Sequence, residues 1–295
     1  MFKHGQIIVL LDHTEESATA VEKATQLAQI SKASLTLFSS GYDSALNSAY
    51  PDSDRARDAY LSRLVEGLET LADIARNHNV EVSTEAVWDK HAGTALLNYL
   101  KDKPADLVVK ATHHQNVLQR TFFSQTDWEL IRHCPVPLLL TKSTAWHDQI
   151  MITAAVDPVQ TNDKPDFLDD HIIEYGQKLQ KELHGQLQLL HVYDPAPLMI
   201  YLDQPAINSA NVSEEIRQQH KDALEELAKR TGIEPENAKL EVGSPVQVIP
   251  DFLYEHDVDI VIMGAVSRSG LERWLLGHTA EKVLDRITVD ILIAK

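Results

Sequence analysis

Residues 106–114 read DLVVKATHH and residues 259–267 read DIVIMGAVS, and the two superpose without a gap at an offset of 153 residues. The match extends over residues 88–142 and 241–295, so that TDWELIRHCPVPLLLTK (126–142) falls on TAEKVLDRITVDILIAK (279–295). Upstream, IIVLLD (7–12) and MITAAVD (151–157) correspond as well. Self-similarity over half the chain predicts two domains of one fold, residues 1–145 and 146–295, joined by the short segment STAWHDQ (143–149). The copies differ at two positions of consequence: Gly264 and Gly277 stand where the first copy has Ala111 and Ser124.

Within each half, short apolar and β-branched runs alternate with stretches of helical period. The runs are 7–11, 34–38, 80–88, 106–110 and 137–141 in the first half, and 150–156, 186–193, 238–242, 259–263 and 290–294 in the second. Between them, Ala20, Ala24, Leu27 and Ala28 share one helical face, as do Ile216, Ala223, Leu224 and Leu227. The pattern predicts an α/β fold with a five-stranded parallel sheet per domain, flanked by helices and joined by right-handed crossovers. Thr126 with Glu129 and Ser244 with Gln247 read as capping boxes, Pro245 as a first-turn proline, and Pro250 as a kink. Two connections are long, GYDSALNSAYPD (41–52) and the segment 195–212, whose run Leu198–Leu202 is too apolar to lie bare in water.

A chain of 295 residues suits two domains of this size, and its 44 acidic against 27 basic residues leave a formal net charge of −17. That charge repels a nucleic-acid backbone, so no nucleic-acid partner is expected. A single cysteine, Cys134, excludes an intrachain disulfide and favours a reducing compartment. The apolar run near the N-terminus stops at Asp12, too short for a membrane span or signal segment, so a cytoplasmic protein without a membrane partner is expected.

In open parallel sheets, ligands bind beyond the carboxyl ends of the strands where the strand order reverses, which points to Asp157 and Gly264. Gly264 admits close approach of a ligand to the backbone. Gly277, His278 and Thr279 open the last helix, whose unpaired amides attract anions, and Arg268 adds a charge. The spacing resembles the G-x2-G-x9-G-[S/T] signature of the universal stress protein family, and the whole chain is similar to the bacterial two-domain, E-type members. LLHVYD (189–194) and LLGHTAEKVL (275–284) carry the resemblance further. It implies adenine nucleotide alpha hydrolase-like, Rossmann-like domains that pair through their last strands as an internal pseudodimer, with a homodimer of chains as a further option. It also implies ATP with Mg²⁺ in the second domain, held by Asp157, Val192, Met263, Gly264, Ser267, Arg268, Gly277, His278 and Thr279. Two positions depart from the signature: Ser267 replaces its second glycine, and His278 precedes the hydroxyl residue Thr279.

The first half lacks the signature, carrying Ala111, His114, Ser124 and Gln125, and its helix starts with Asp127 and Glu129, whose carboxylates compete with phosphate. Asp12, His13, His113 and His114 gather at the same strand ends and are the one constellation there that could hold Zn²⁺ or another divalent metal, the blander reading being solvated strand-end residues. No nucleophile elbow, GxxxxGK[ST] loop or HExxH helix is present. The expectation is a stress-response protein that binds a small-molecule ligand and hydrolyses ATP weakly at most. The competing expectation is a module that holds an apolar small molecule or a protein partner under the 195–212 segment, without ATP.

Overall fold

The computed structural model of the chain describes residues 5–12, 16–51, 53–112, 123–159, 167–195, 209–267 and 274–295. Their contacts divide into two compact units, one holding 5–112 and 123–145, the other 146–267 and 275–295. In the first, β1 (Gln6–Leu10), β2 (Ser34–Gly41), β3 (Val82–Trp88), β4 (Leu107–Ala111) and β5 (Leu138–Thr141) form a sheet in the order β3-β2-β1-β4-β5, with every pair parallel. The helices are α1 (Ser17–Ser31), α2 (Ser44–Ala49), α3 (Asp54–Asn77), α4 (Ala92–Asp102) and α5 (Gln125–His133).

The second unit repeats the plan. Strands β6 (Met151–Ala155), β7 (Gln186–Tyr193), β8 (Ala238–Val242) and β9 (Ile260–Gly264) join β12 (Asp290–Ala294) in the parallel order β8-β7-β6-β9-β12. Helices α6 (Leu168–Leu183), α7 (Ser209–Thr231), α8 (Pro245–Glu255) and α9 (His278–Leu284) flank it, and two short strands, β10 (Val266–Ser267) and β11 (Trp274–Leu275), pair with each other. Because helices cover both faces of each sheet, the central strands are apolar throughout: Ile7, Ile8 and Val9 are wholly buried, as are Ile260, Val261 and Ile262. In each unit the chain steps outward one way from its first strand and the other way from its fourth, which leaves a cleft beyond the ends of β1 and β4, and of β6 and β9.

The duplication reaches individual bonds. The Gln6 amide at the start of β1 donates to Asp106 Oδ2 at 3.2 Å, and the Met151 amide at the start of β6 donates to Asp259 Oδ2 at 2.8 Å. Both α1 and α6 end on a left-handed residue, Lys32 and His184, whose amides return to Ala28 and Gln180. Ala20, Ala24, Leu27 and Ala28 are buried as the period requires, and so are Leu224 and Leu227.

Several local readings change. The box at the start of α5 is Ser124 with Asp127 rather than Thr126 with Glu129. Ser244 is the N-cap of α8 by position, but its side chain makes no capping bond. Pro250 lies inside α8, which continues through it. A proline leaves the carbonyl four residues earlier without its helical donor, and here that carbonyl, of Val246, accepts from Arg286 Nη1 at 3.0 Å. The long connection after β2 contains α2, capped by the Asp43 side chain at the Leu46 amide. Residues 198–202 lie outside the described residues, among which no helix is long and apolar enough to cross a membrane.

Asp259 also accepts from the His147 amide and meets the His147 ring at 2.9 Å. Replacing it with alanine strands two backbone donors, and Asp259→Ala is expected to cost about 2–4 kcal/mol in a urea unfolding titration, with Asp259→Asn recovering part of the loss. An unchanged midpoint for the alanine variant would contradict this role.

Candidate functional site

The first cleft carries an ion cluster of the chain's own side chains at the ends of β1 and β4. Lys110, on β4, has a side chain only 3% exposed, and a buried ammonium requires partners. Its Nζ lies 3.0 Å from Asp127 Oδ1 and 3.5 Å from Asp12 Oδ2, and donates to the Ala111 carbonyl at 2.9 Å. Asp127, wholly buried in the first turn of α5, accepts from the Ser124 amide at 2.6 Å through Oδ2, while Ser124 Oγ accepts from the Asp127 amide at 3.1 Å. Asp127 Oδ1 has no hydrogen bond of good geometry, so charge rather than alignment holds it to Lys110. The Ser124 amide at the helix start therefore already holds a carboxylate, and that carboxylate lies against a tethered cation.

Glu129, expected beside Asp127, turns away and accepts from Thr94 Oγ1 on α4 at 2.6 Å. Asp12 faces Lys110; His13, His113 and His114 lie outside the described residues, among which no cluster of three metal-binding side chains occurs.

At the corresponding positions the second unit has Met263 for Lys110, Ala280 for Asp127 and Gly277 for Ser124. Met263 is a buried apolar side chain at the end of β9, so neither the internal cation nor its carboxylate exists there. Gly277 is the N-cap of α9 with φ −62 and ψ 151, and a Cβ added to it would meet nothing within 4 Å. Among the described residues nothing crowds that position, and the backbone there does not itself demand glycine. Gly264 differs: a Cβ would lie 2.6 Å from Leu168 Cδ1 and 2.9 Å from Ile172 Cδ1. Its missing side chain admits α6 to the sheet, a packing need that accounts for the glycine without any ligand.

The β10–β11 ladder draws together the two ends of the loop, Gly264 and Gly277 each standing two residues outside it. Thr279 is exposed in the first turn of α9, and Val192 lies on β7 opposite Glu241. Arg268 and the side chains of Ser267 and His278 fall outside the described residues. Asp157, just past β6, keeps 42% of its side-chain exposure, and its amide donates to Asp169 Oδ1 of α6 at 3.2 Å.

Sequence reading missed a cluster beside Asp157. His191, wholly buried on β7, has Nδ1 3.2 Å from the Val156 carbonyl and 3.8 Å from Asp157 Oδ1, and its Nε2 is 2.7 Å from Nδ1 of His220 on α7. The His220 ring stacks on Tyr193 with centroids 4.3 Å apart. Burial is the main force holding the His191 imidazole below its usual range; His220 adds to it, and Asp157 opposes it. His220 is likewise lowered by burial, against the pull of Asp157.

A model of the Universal stress protein family matches residues 3–142 and 165–295. Over 299 residues, 98% of this chain and 97% of the other, the chain is 28% identical to a protein named Universal stress protein E homolog from Haemophilus influenzae. It is 26% identical over 300 residues to Universal stress protein E of Escherichia coli K12, covering 100% of this chain and 95% of the other. Among solved structures, a functionally unknown protein from Pseudomonas aeruginosa matches with TM-score 0.74 and 23% identity over 98% of this chain and 92% of its own. A universal stress protein from Archaeoglobus fulgidus matches with TM-score 0.70 and 16% identity over 100% and 99%. The last two show the shared tandem fold.

The internal ion cluster has a measurable signature. Lys110→Met leaves Asp127 buried without its cation and is expected to destabilise the first unit by about 3–5 kcal/mol in chemical unfolding. Removing the carboxylate as well, in Lys110→Met with Asp127→Ala, is expected to restore much of the loss, since no buried charge remains. A double variant weaker by the full sum of the single effects would contradict the pairing.

Proposed function

This chain belongs to the universal stress protein family as a tandem of two of its domains, and from that premise we propose a ligand-binding protein of the stress response whose second domain alone takes the ligand, ATP with Mg²⁺. The observation that carries this reading is the exchange at two matched positions: Lys110 and Asp127 place a buried ion pair at the first cleft, while Met263 and Ala280 cannot form the corresponding pair in the second.

The residues of the second cleft suit an anion with a cation beside it. The start of α9 at Gly277 is open and uncrowded, Thr279 offers a hydroxyl, and the half-exposed Asp157 offers a carboxylate to Mg²⁺. Glu281 is the acidic residue of the α9 first turn, and it stands where the first unit has Trp128, not at the Asp127 position. No nucleophile with a positioned base is present among the described residues of this cleft, which favours binding and signalling over turnover. The chain would thus report ligand state through its second domain, with the first as a ligand-independent companion.

Equilibrium binding of Mg²⁺-ATP to the full chain tests the reading. Saturable binding is expected, at least about tenfold weaker in Gly277→Asp, whose carboxylate meets the phosphates at the helix start. The open surroundings and ordinary φ at Gly277 mean that the variant should keep the wild-type thermal midpoint. No saturation at millimolar ATP, or wild-type affinity in Gly277→Asp, would overturn it.

A further inference from the structure

We propose that β8, the outer strand of the second domain, is a contact surface for a second copy of this chain, and that two β8 strands pair antiparallel about a two-fold axis at Leu240. The sheet of this domain ends at β8, which among the described residues has β7 on one side and no strand on the other. Its residues are half-buried up to Val242, which is 50% exposed. The contact is independent of whatever the cleft binds.

The backbone fixes which groups the edge offers. The Gly243 amide donates to the Tyr193 carbonyl at 2.9 Å, and Tyr193 is the register partner of Val242. In a parallel ladder alternate residues turn both main-chain groups to the same neighbour, so Lys239, Glu241 and Gly243 face β7 while Ala238, Leu240 and Val242 face outward. The Ala238 amide is already taken by the Pro235 carbonyl. The Ala238 carbonyl and both main-chain groups of Leu240 and Val242 remain for a partner. An antiparallel strand centred on Leu240 uses them all but the Val242 carbonyl: the two Leu240 residues exchange amide-to-carbonyl bonds, and each Val242 amide donates to the Ala238 carbonyl of the other copy.

Side-chain chemistry selects that register. Lys239 and Glu241 share one face of the strand, and among the described residues neither takes part in an ion pair. With Leu240 on the axis, Lys239 of each copy stands opposite Glu241 of the other, at the non-hydrogen-bonded positions where side chains approach most closely. Moving the axis by one residue sets Lys239 against Lys239 or Glu241 against Glu241, which is repulsive. On the other face Leu240 meets Leu240 and the exposed Val242 meets Ala238, so the pairing also makes a continuous apolar strip. A lone lysine on an edge discourages strand addition, whereas a lysine and a glutamate placed symmetrically about a leucine make the edge complementary to itself. The outer strand of the first domain, β3, lacks this property: Glu85 is its one charged residue, and no register of β3 against itself pairs opposite charges.

A strand of five residues on each copy makes a small contact of the transient class, so it is read at high chain concentration. Sedimentation of the full chain between about 10 μM and about 0.5 mM is expected to show a reversible dimer that added salt weakens. Lys239→Glu and Glu241→Lys each turn both cross-strand pairs repulsive at once, and each is expected to raise the dissociation constant at least about tenfold. An equimolar mixture of the two variants restores opposite charges at both pairs and should associate as tightly as the unmodified chain, which also shows that both variants are folded. In amide exchange followed by NMR, the Leu240 and Val242 amides should slow as the chain concentration rises, whereas that of Gly243, already bonded to Tyr193, should not. A chain still monomeric at about 0.5 mM, a dimer indifferent to both variants, a mixture no tighter than its components, or a Leu240 amide whose exchange ignores concentration would each overturn the proposal.

Discussion

A buried ammonium has to be paired, and in this chain that requirement decides what the first ligand cleft contains. Lys110 comes up the middle of a parallel sheet and emerges at the strand end where a ligand would otherwise lie. Asp127 and Asp12 converge on it, and Asp127 at the same time accepts from the Ser124 amide at the start of α5. Among the described residues, cation and carboxylates balance one another's charge at this strand end. The same fold in the second domain, with methionine and alanine at those two positions, loses both halves of the arrangement together. Losing only one would strand a buried charge.

The second domain shows that its glycines answer to different physical demands. Gly264 exists to let α6 close onto the sheet, with Leu168 and Ile172 occupying the place of its side chain. Gly277 has an unstrained backbone, and among the described residues nothing lies within 4 Å of the place a side chain would take. Only the second has a geometry that a ligand would explain. Beside this opening, the His191–His220 pair ties the strand next to the cleft to the helix that follows residues 196–208. Asp157, at the end of β6, lies 3.8 Å from His191 and has its amide fixed by Asp169.

The fold was readable because central parallel strands covered on both faces must be apolar along their length, and five strand-like runs recur in the same order in each half. The duplication was readable from the ungapped match of 88–142 with 241–295. The chemistry of the first cleft was only half legible. Asp127 and Glu129 look alike in sequence, yet one enters the cap and the other bonds Thr94 on a neighbouring helix. Lys110 sits in an ordinary strand run, and nothing local reveals that its ammonium meets a carboxylate 17 residues ahead and another 98 behind. His191 and His220 stand 29 residues apart on a strand and a helix, so only tertiary structure joins them. Gly264 was read as room for a ligand; the packing of Leu168 and Ile172 over it is a second demand on the same glycine that the letter does not reveal. Helix α2 escaped notice because its six residues are too few for a periodic signal.

The central claim is that one chain offers one ligand cleft. Isothermal titration of the full-length protein with Mg²⁺-ATP, at chain concentrations near the dissociation constant or above it, counts the sites directly. The account predicts one equivalent of nucleotide per chain. Two equivalents, or none at saturating nucleotide, would contradict it.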